Sequence, residues 1–433
     1  MKETDYQSKS LSLFATVSMG IGVMIGAGIF ALTGQVAEYA GALFPLAFLL
    51  AAVISGFSAY SYIRVTSKYP SAGGIAMILE KAYGKTMMTG ACALLMAFSM
   101  IINESLVART FGTYTLQLFD MGAHYWLISG LAVALIVVAF LINLAGNDLI
   151  GAVSKVSAIL KLLGILGFAA AAIWFADGSF QPAENGLRDT TSAAGFLAGV
   201  ALAILAYKGF TTITNSGDEV VEPHKNVGRA ITIALVVCLV VYLLVSWGVG
   251  SSLSVNEIVE ARDYALAEAA RPALGRYGVW FTIAIAIIAT SSGLLASIFA
   301  VSRMLAMATE MNIIPHRHFG MPGDVQQHTL VYTVVAAAVL AALFDLSRIA
   351  SLGAIFYLVM DIAIHWGVFR HLRQDVEAKA WILVTALVLD VVVLACFLLI
   401  KASADPLIVI IAVVSILLIF GFEKYYLSKA STA

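Results

Sequence analysis

Lys161 is the only charge in AILKLLGILGFAAAAI, residues 158–173. An ammonium in hydrocarbon costs at least about 2.5–3.5 kcal/mol even on lenient insertion scales, so such a lysine is retained for a function. Burial disfavours the charged form, which brings proton release within reach. The other readings are a fixed cation serving buried oxygens and a lysine that snorkels to an interface. Lys208, Glu104 and Arg109 are also charged residues inside apolar segments. A second chemistry lies in SMGIGVMIGAGIF, residues 18–30, with glycines at 20, 22, 26 and 28. Mid-span glycines allow close helix packing. They also suit a helix that unwinds at the bilayer centre, where freed N–H groups attract an anion such as a carboxylate. On spacing alone both readings stand.

These residues are carried by a chain whose solvent must be lipid. Hydrophobic residues make up 61% of the 433, charged residues 12%, and the net charge is −1. No soluble domain of this length hides so much apolar surface, and no basic field points to nucleic acid. Twelve runs are long enough to cross the hydrocarbon: 11–37, 41–64, 87–119, 124–144, 149–176, 193–217, 228–250, 274–309, 328–345, 349–369, 379–400 and 405–427. Only an all-α bundle satisfies the backbone there. Lys161 lies twelve residues into its span, about 18 Å deep, too far for comfortable snorkelling.

With the N-terminus in the cytoplasm, sixteen Lys and Arg residues fall on the inner side. Only Arg188, Arg262, Arg271, Arg276, Arg348 and Lys401 fall on the outer side. Both termini are therefore expected in the cytoplasm, with a short polar tail over 1–10. The start of the chain carries no small-residue cleavage site, so the first span is expected to be retained. The polar outer segment 251–273 is expected to carry a short surface helix. Cys92, Cys238 and Cys396 lie scattered in apolar segments and read as core residues.

The sixth span also has a glycine-containing polar stretch at mid-depth, Ala206 to Thr214. Interruptions at corresponding positions of two halves point to an inverted-repeat transporter that binds its substrate at the midplane. The repeats would be 11–176 and 193–369, with 379–427 as two additional helices. No convincing sequence identity links the halves.

Three motifs now carry a resemblance. GVMIGAGIF at 22–30, LAYKGFTTITNSGDEVVEPHKNVGRAI at 205–231 and SRMLAMATEMNIIP at 302–315 resemble the first-helix, sixth-helix and post-eighth-helix motifs of the amino acid–polyamine–organocation permeases. With the twelve spans, the similarity covers nearly the whole chain. Glu222, Gly228 and Asn312 depart from the usual Asn, Pro and Gly, all in loops.

The resemblance implies a LeuT-type fold of five plus five helices, helices 1 and 6 broken. It also implies secondary active transport of an amino acid or amine across a bacterial or archaeal cytoplasmic (inner) membrane. A zwitterion needs donors for its carboxylate and acceptors for its ammonium. Backbone N–H groups of Gly26, Ala27 and Gly28 would serve the first, and carbonyls around Met24 and from Ala206 to Lys208 the second. Tyr207 and Phe210 would wall or gate the site, and Asn103 is a further polar candidate.

For Lys208 three readings stay open: a pair with Glu104 on the neighbouring third span, contact with an anionic group of the substrate, and snorkelling. Arg109 is expected in the outer vestibule. Some proton-coupled prokaryotic permeases resemble this chain at KLL, residues 161–163, where a lysine takes the place of a coupling cation. Lys161 would then bridge carbonyls near Gly20 and Val23 to Ser291 or Ser292 of the eighth span. Its change of charge would bias a two-state element.

An enzyme finds no support. No HExxH, GxSxG or P-loop pattern occurs, and the seven histidines form no cluster. His365 and Asp361, at spacing i, i+4 in the tenth span, read as a gate or packing pair. No cofactor or metal site is expected. The expected partners are a small amino acid, neutral or acidic, a proton as coupling ion, and the lipid bilayer. Exchange of an amino acid for its amine, polyamine transport, and an amino-acid sensor that does not transport are the competing readings. Neither the particular amino acid nor the oligomeric state is legible.

Overall fold

A computed structural model describes residues 11–71, 73–119, 121, 124–145, 147–176, 192–311, 313–314 and 325–430, without the side chains of 27, 145, 147–155 and 428–430. The tail 1–10, Arg188 and Asn312 lie outside the described residues. Among the described residues every regular element is helical, apart from an isolated parallel bridge between Leu11 and Val220.

The first crossing is α1, Leu13–Ala40, opened by the Ser12 cap and interrupted at Ile25, whose ψ of 23° leaves helical geometry. Gly41, at φ 55°, turns the chain into α2, Phe44–Lys68. A short helix α3, Gly74–Tyr83, leads to α4, Met87–Gln117, α5, Tyr125–Ala145, and α6, Asn147–Phe175. The sixth crossing is split into α7, Ala193–Tyr207, and α8, Phe210–Thr214, around Lys208 and Gly209.

Pro223, in the first turn, starts α9, Pro223–Ser252. Two short helices follow, α10, Val255–Glu260, and α11, Ala265–Ala269. The chain ends with α12, Arg271–Glu310, α13, Val325–Leu343, α14, Leu346–Gly367, α15, Ala380–Ala404, and α16, Pro406–Ala430.

Eleven stretches are long and apolar enough to cross a membrane, with Leu13–Gly26 as a shorter apolar helix. The longest, Gly28–Lys68, is folded in two at Gly41, so the described residues provide twelve crossings. Bulky side chains such as Leu399, Leu417 and Leu418 face outward to lipid. Trp126, Trp174 and Tyr277, each about four-fifths exposed, lie near span ends, where amphipathic rings favour the membrane interface.

Helix α1, buried over 24–26 and 29–37, is enclosed by α7, α9 and α12, and α4 packs on α12 and α14. Segment 254–270 is not the single surface helix expected from sequence. Ser254 and Glu257 close a capping box on α10, while Ile258, Ala265 and Leu266 are buried over the C-terminal half of α1. The apolar positions of this polar-looking segment turn it inward.

Candidate functional site

The two interruptions meet. A Cβ on Gly209 would lie 2.6 Å from Met24 Cγ and 2.9 Å from its backbone nitrogen, so the breaks touch only because residue 209 has no side chain. At Gly28 a Cβ would come within 3.0 Å of Ala206 Cα and of the Tyr242 hydroxyl. That hydroxyl lies 2.7 Å from the Met24 carbonyl and 3.1 Å from that of Ala206, sharing one proton between carbonyls freed at the two breaks. Tyr242, on α9, is fully buried, meets Tyr207 in a tilted ring contact at 4.9 Å and Phe48 edge-on at 5.8 Å. No motif singles it out: it is one tyrosine in an apolar helix. Phe210 opens α8 and packs edge-to-face on Tyr62 of α2 at 5.3 Å. Gly26 faces Gly293 of α12 backbone to backbone. Ala27 lies in the helix, with its side chain outside the described set.

Lys161 is 2% exposed on α6. Its Nζ donates to the Gly22 carbonyl at 2.5 Å and lies 3.5 Å from Ser292 Oγ on α12. The carbonyl it meets lies between Gly20 and Val23, neither of which is itself a partner, and of the two serines expected it meets Ser292 and not Ser291. A side chain on Gly20 would run into Ile213, and Ser291 is only half-buried. In an intact helix the carbonyl of residue 22 is taken by the N–H four residues on, and the departure at Ile25 loosens that pairing. One lysine thus joins α6, α1 and α12 just before the break.

Lys161, Gly22 and Ser292 line the inner end of a cavity of about 440 Å³. Its walls run inward from Leu11 and Phe14, between the N-terminal half of α1, the residues following α8, and α12. Arg303 and Glu219, on that wall, are ion-paired, and the main chain of Leu11 pairs with Glu219 and Val221. Of the residues expected to hold substrate, none lines this space; Met24, Ala206, Tyr207 and Phe210 are packed shut beyond it.

The opposite end of α1 is closed. Gln35 Nε2 donates to Asp263 Oδ1 at 2.6 Å, and Arg262 Nη1 reaches both oxygens of Glu38 at 3.1 and 3.2 Å. A Cβ on Gly34 would collide with the Arg262 carbonyl. Burial raises the Asp263 carboxyl above its ordinary range, against the opposing pull of Arg262 and Gln35.

Glu104 is fully buried; its Oε1 accepts from Ser297 at 3.3 Å and its Oε2 has no partner. Lys208 does not form an ion pair with it. The ammonium donates instead to the Ser99 carbonyl at 2.8 Å and Ser99 Oγ at 3.1 Å, and lies 5.9 Å from the Tyr357 ring centre. Ser99 lies five positions before Glu104, about 7.5 Å along the helix, and the side chain leans to the nearer oxygens. Asn103 is half-buried on α4.

Arg109 is not in a vestibule. It is 3% exposed, donates to Ser129 Oγ at 2.9 Å and the Ala341 carbonyl at 2.8 Å, and stacks on Tyr125. Those contacts tie α4 to α5 and α13. His365 and Asp361 do pair, at 3.4 Å, but a third group that sequence reading missed joins them: Asp390 of α15, 3.2 Å from His365 Nε2. A lone carboxylate inside span eleven was the signal available for it.

Comparison with known proteins agrees with this architecture. A family model described as "Amino acid permease" matches residues 11–423. The chain is 30% identical to the inner membrane transport protein YbaT of Escherichia coli (strain K12) over 90% of each chain. It is 28% identical to the serine/threonine exchanger SteT of Bacillus subtilis (strain 168), over 62% of this chain and 61% of that one. It is also 28% identical to the branched-chain amino acid permease BcaP of the same organism, over 55% of this chain and 54% of that one. With a family match spanning nearly all twelve crossings, the chain is a multi-pass membrane transporter of the amino acid permease family within the amino acid–polyamine–organocation superfamily.

Proposed function

We propose that this permease imports an amino acid by alternating access, driven by protons through Lys161. The observation that carries the reading is the Lys161 ammonium, 2.5 Å from the Gly22 carbonyl beside Ser292, at the inner end of the cavity. Protonated, it ties α6 to the N-terminal half of α1; neutral, it holds that half less strongly. A proton thereby gains different free energy in two arrangements, which coupling requires. The orientation that fits places both termini in the cytoplasm, in the inner membrane of a bacterium or archaeon, so the cavity side is the cytoplasmic side. Residues 11–176 and 193–369 are the inverted repeats.

The substrate would bind through the N–H groups of Gly26, Ala27 and Gly28 and the carbonyls near Met24 and Ala206, with Tyr207, Phe210, Asn103, Glu104 and Lys208 around it. With those groups packed shut above the cavity, the described arrangement suits the interval after release. Two relatives are named for serine, threonine and branched-chain substrates, which favours a neutral amino acid over an acidic one. One of them is named an exchanger, so substrate–substrate exchange is the second reading.

The test is amino-acid uptake into liposomes with an inward proton gradient and no sodium, comparing the unmodified protein with Lys161→Ala. Loss of gradient-driven accumulation with retained substrate binding is expected. Undiminished accumulation in the variant, or a requirement for sodium, would sink the proton-site assignment. Exchange that is indifferent to pH would favour the second reading.

A further inference from the structure

Asp361, His365 and Asp390 lie wholly buried between α14 and α15, outside the cavity and the helix breaks. Among the described residues no Lys or Arg nitrogen is within ion-pair distance of either carboxylate. His365 Nε2 is 3.4 Å from Asp361 Oδ2 and 3.2 Å from Asp390 Oδ2, yet makes a directed hydrogen bond to neither. Both oxygens therefore flank the axis of the ring nitrogen instead of lying on it. Neither oxygen of Asp390 has any hydrogen-bond partner. Two carboxylates in an apolar interior with one imidazole between them are neutralised either by a proton or by a further positive charge.

The surrounding groups are arranged to orient these three and not to neutralise them. Ser61 Oγ is 2.7 Å from His365 Nδ1, which fixes the ring and leaves Nε2 facing the carboxylates. Ser58 Oγ donates to Asp361 Oδ2 at 2.6 Å, and the Tyr62 hydroxyl donates to Oδ1 at 2.5 Å. A metal-bound histidine that uses its other nitrogen, and a carboxylate held by outer hydrogen bonds, are the usual supports of a metal site. Metal–donor bonds of about 2.0–2.1 Å in tetrahedral array set donors about 3.3 Å apart, matching both separations measured from Nε2.

We propose that Asp361, His365 and Asp390 form a structural site for a divalent cation of the zinc class. Its protein donors are His365 Nε2, Asp361 Oδ2 and Asp390 Oδ2. Two carboxylates and one dication leave the site neutral, so the interior holds no net charge. The ion clamps α14 to α15, and through Ser58, Ser61 and Tyr62 it holds α2. It is independent of Lys161 and of the direction of transport.

The test is the metal content of the full-length protein purified in detergent without chelator, followed by Co²⁺ loading of the chelated protein. About one ion per chain is expected in the unmodified protein and in Lys161→Ala, with visible ligand-field absorption on cobalt loading. Asp390→Asn and His365→Ala should lose both. If those variants do not fold, Ser61→Ala keeps all three protein donors and should bind about 10–100-fold more weakly. Monodisperse unmodified protein that takes up less than about a tenth of an equivalent of zinc or cobalt would overturn the site, leaving the cluster to hold protons.

Discussion

The two halves of α1 are both rich in small and aliphatic residues, but only the second carries the polar anchors Gln35 and Glu38, and their surroundings are opposite. Phe14, Ala15, Ser18, Met19 and Gly22 of the first half face the cavity, and Lys161 is a point of attachment for this half near the break. Residues 28–40 lie under a polar lid, held by Gln35 to Asp263 and Glu38 to Arg262, with Gly34 pressed on the Arg262 backbone. One half has open space beside it, and side chains fill the corresponding space beside the other. On the proposed alternating access these conditions would be exchanged about the break at Ile25.

Changes at the lid should therefore shift the chain more than changes at the hinge. The largest effect is expected from Gly34→Val, whose side chain has no room against Arg262. Overpacking of this kind costs about 1–3 kcal/mol, enough for a roughly tenfold shift towards an open lid. With Cys92, Cys238 and Cys396 replaced by serine, a cysteine substituted at Phe30 should then react about tenfold faster with an impermeant maleimide. Unchanged labelling would show that the lid is not what closes this end.

Tyr242→Phe removes the hydroxyl shared by the Met24 and Ala206 carbonyls. Buried polar contacts between membrane helices are worth about 0.6–1.7 kcal/mol, so thermal stability in detergent should fall by an amount in that range. A silent substitution would mean the freed carbonyls find other donors.

The smallest effect is a pH dependence of the lid. Asp263 lies outside the spans, and its carboxyl is raised by burial, with Arg262, Glu38, Asp345 and Gln35 around it. A group raised in the closed form favours closure fully below the ordinary carboxylate range, and that contribution is lost as pH rises through its raised value. Labelling of the same cysteine should thus rise slightly across that window, and Asp263→Asn should flatten the slope. A slope that survives the substitution would assign it to another group.

Much of the scaffold could be read from residue order. The expected span 87–119 is α4, Met87–Gln117, because a run of that length and apolarity has one stable form in lipid. The breaks were visible as glycines, since a side chain at Gly209 or Gly28 would push the two helices apart. The inward turn of segment 254–270 was not visible: its polar residues bond to α1, a contact over more than two hundred positions.

Site detail was legible in kind more than in partner. Lys161 was marked by its isolation, but which carbonyl it meets depends on the rotation introduced at Ile25. Glu104 and Lys208 looked like a pair by charge, and the slant of the lysine towards Ser99 separated them.

The sequence by itself determined that this chain is a helical bundle in lipid, that its first and sixth crossings are broken, and that one lysine is buried at depth. Hydropathy, glycine and isolated charge are properties of single segments, so they are present before any helix meets another. Only the tertiary structure decided that Gly22 and Ser292 receive the lysine, that Tyr242 joins the breaks, and that Asp390 meets His365. Those choices depend on how helices rotate about their axes and slide along one another. A residue far away in the chain enters reach through that packing alone.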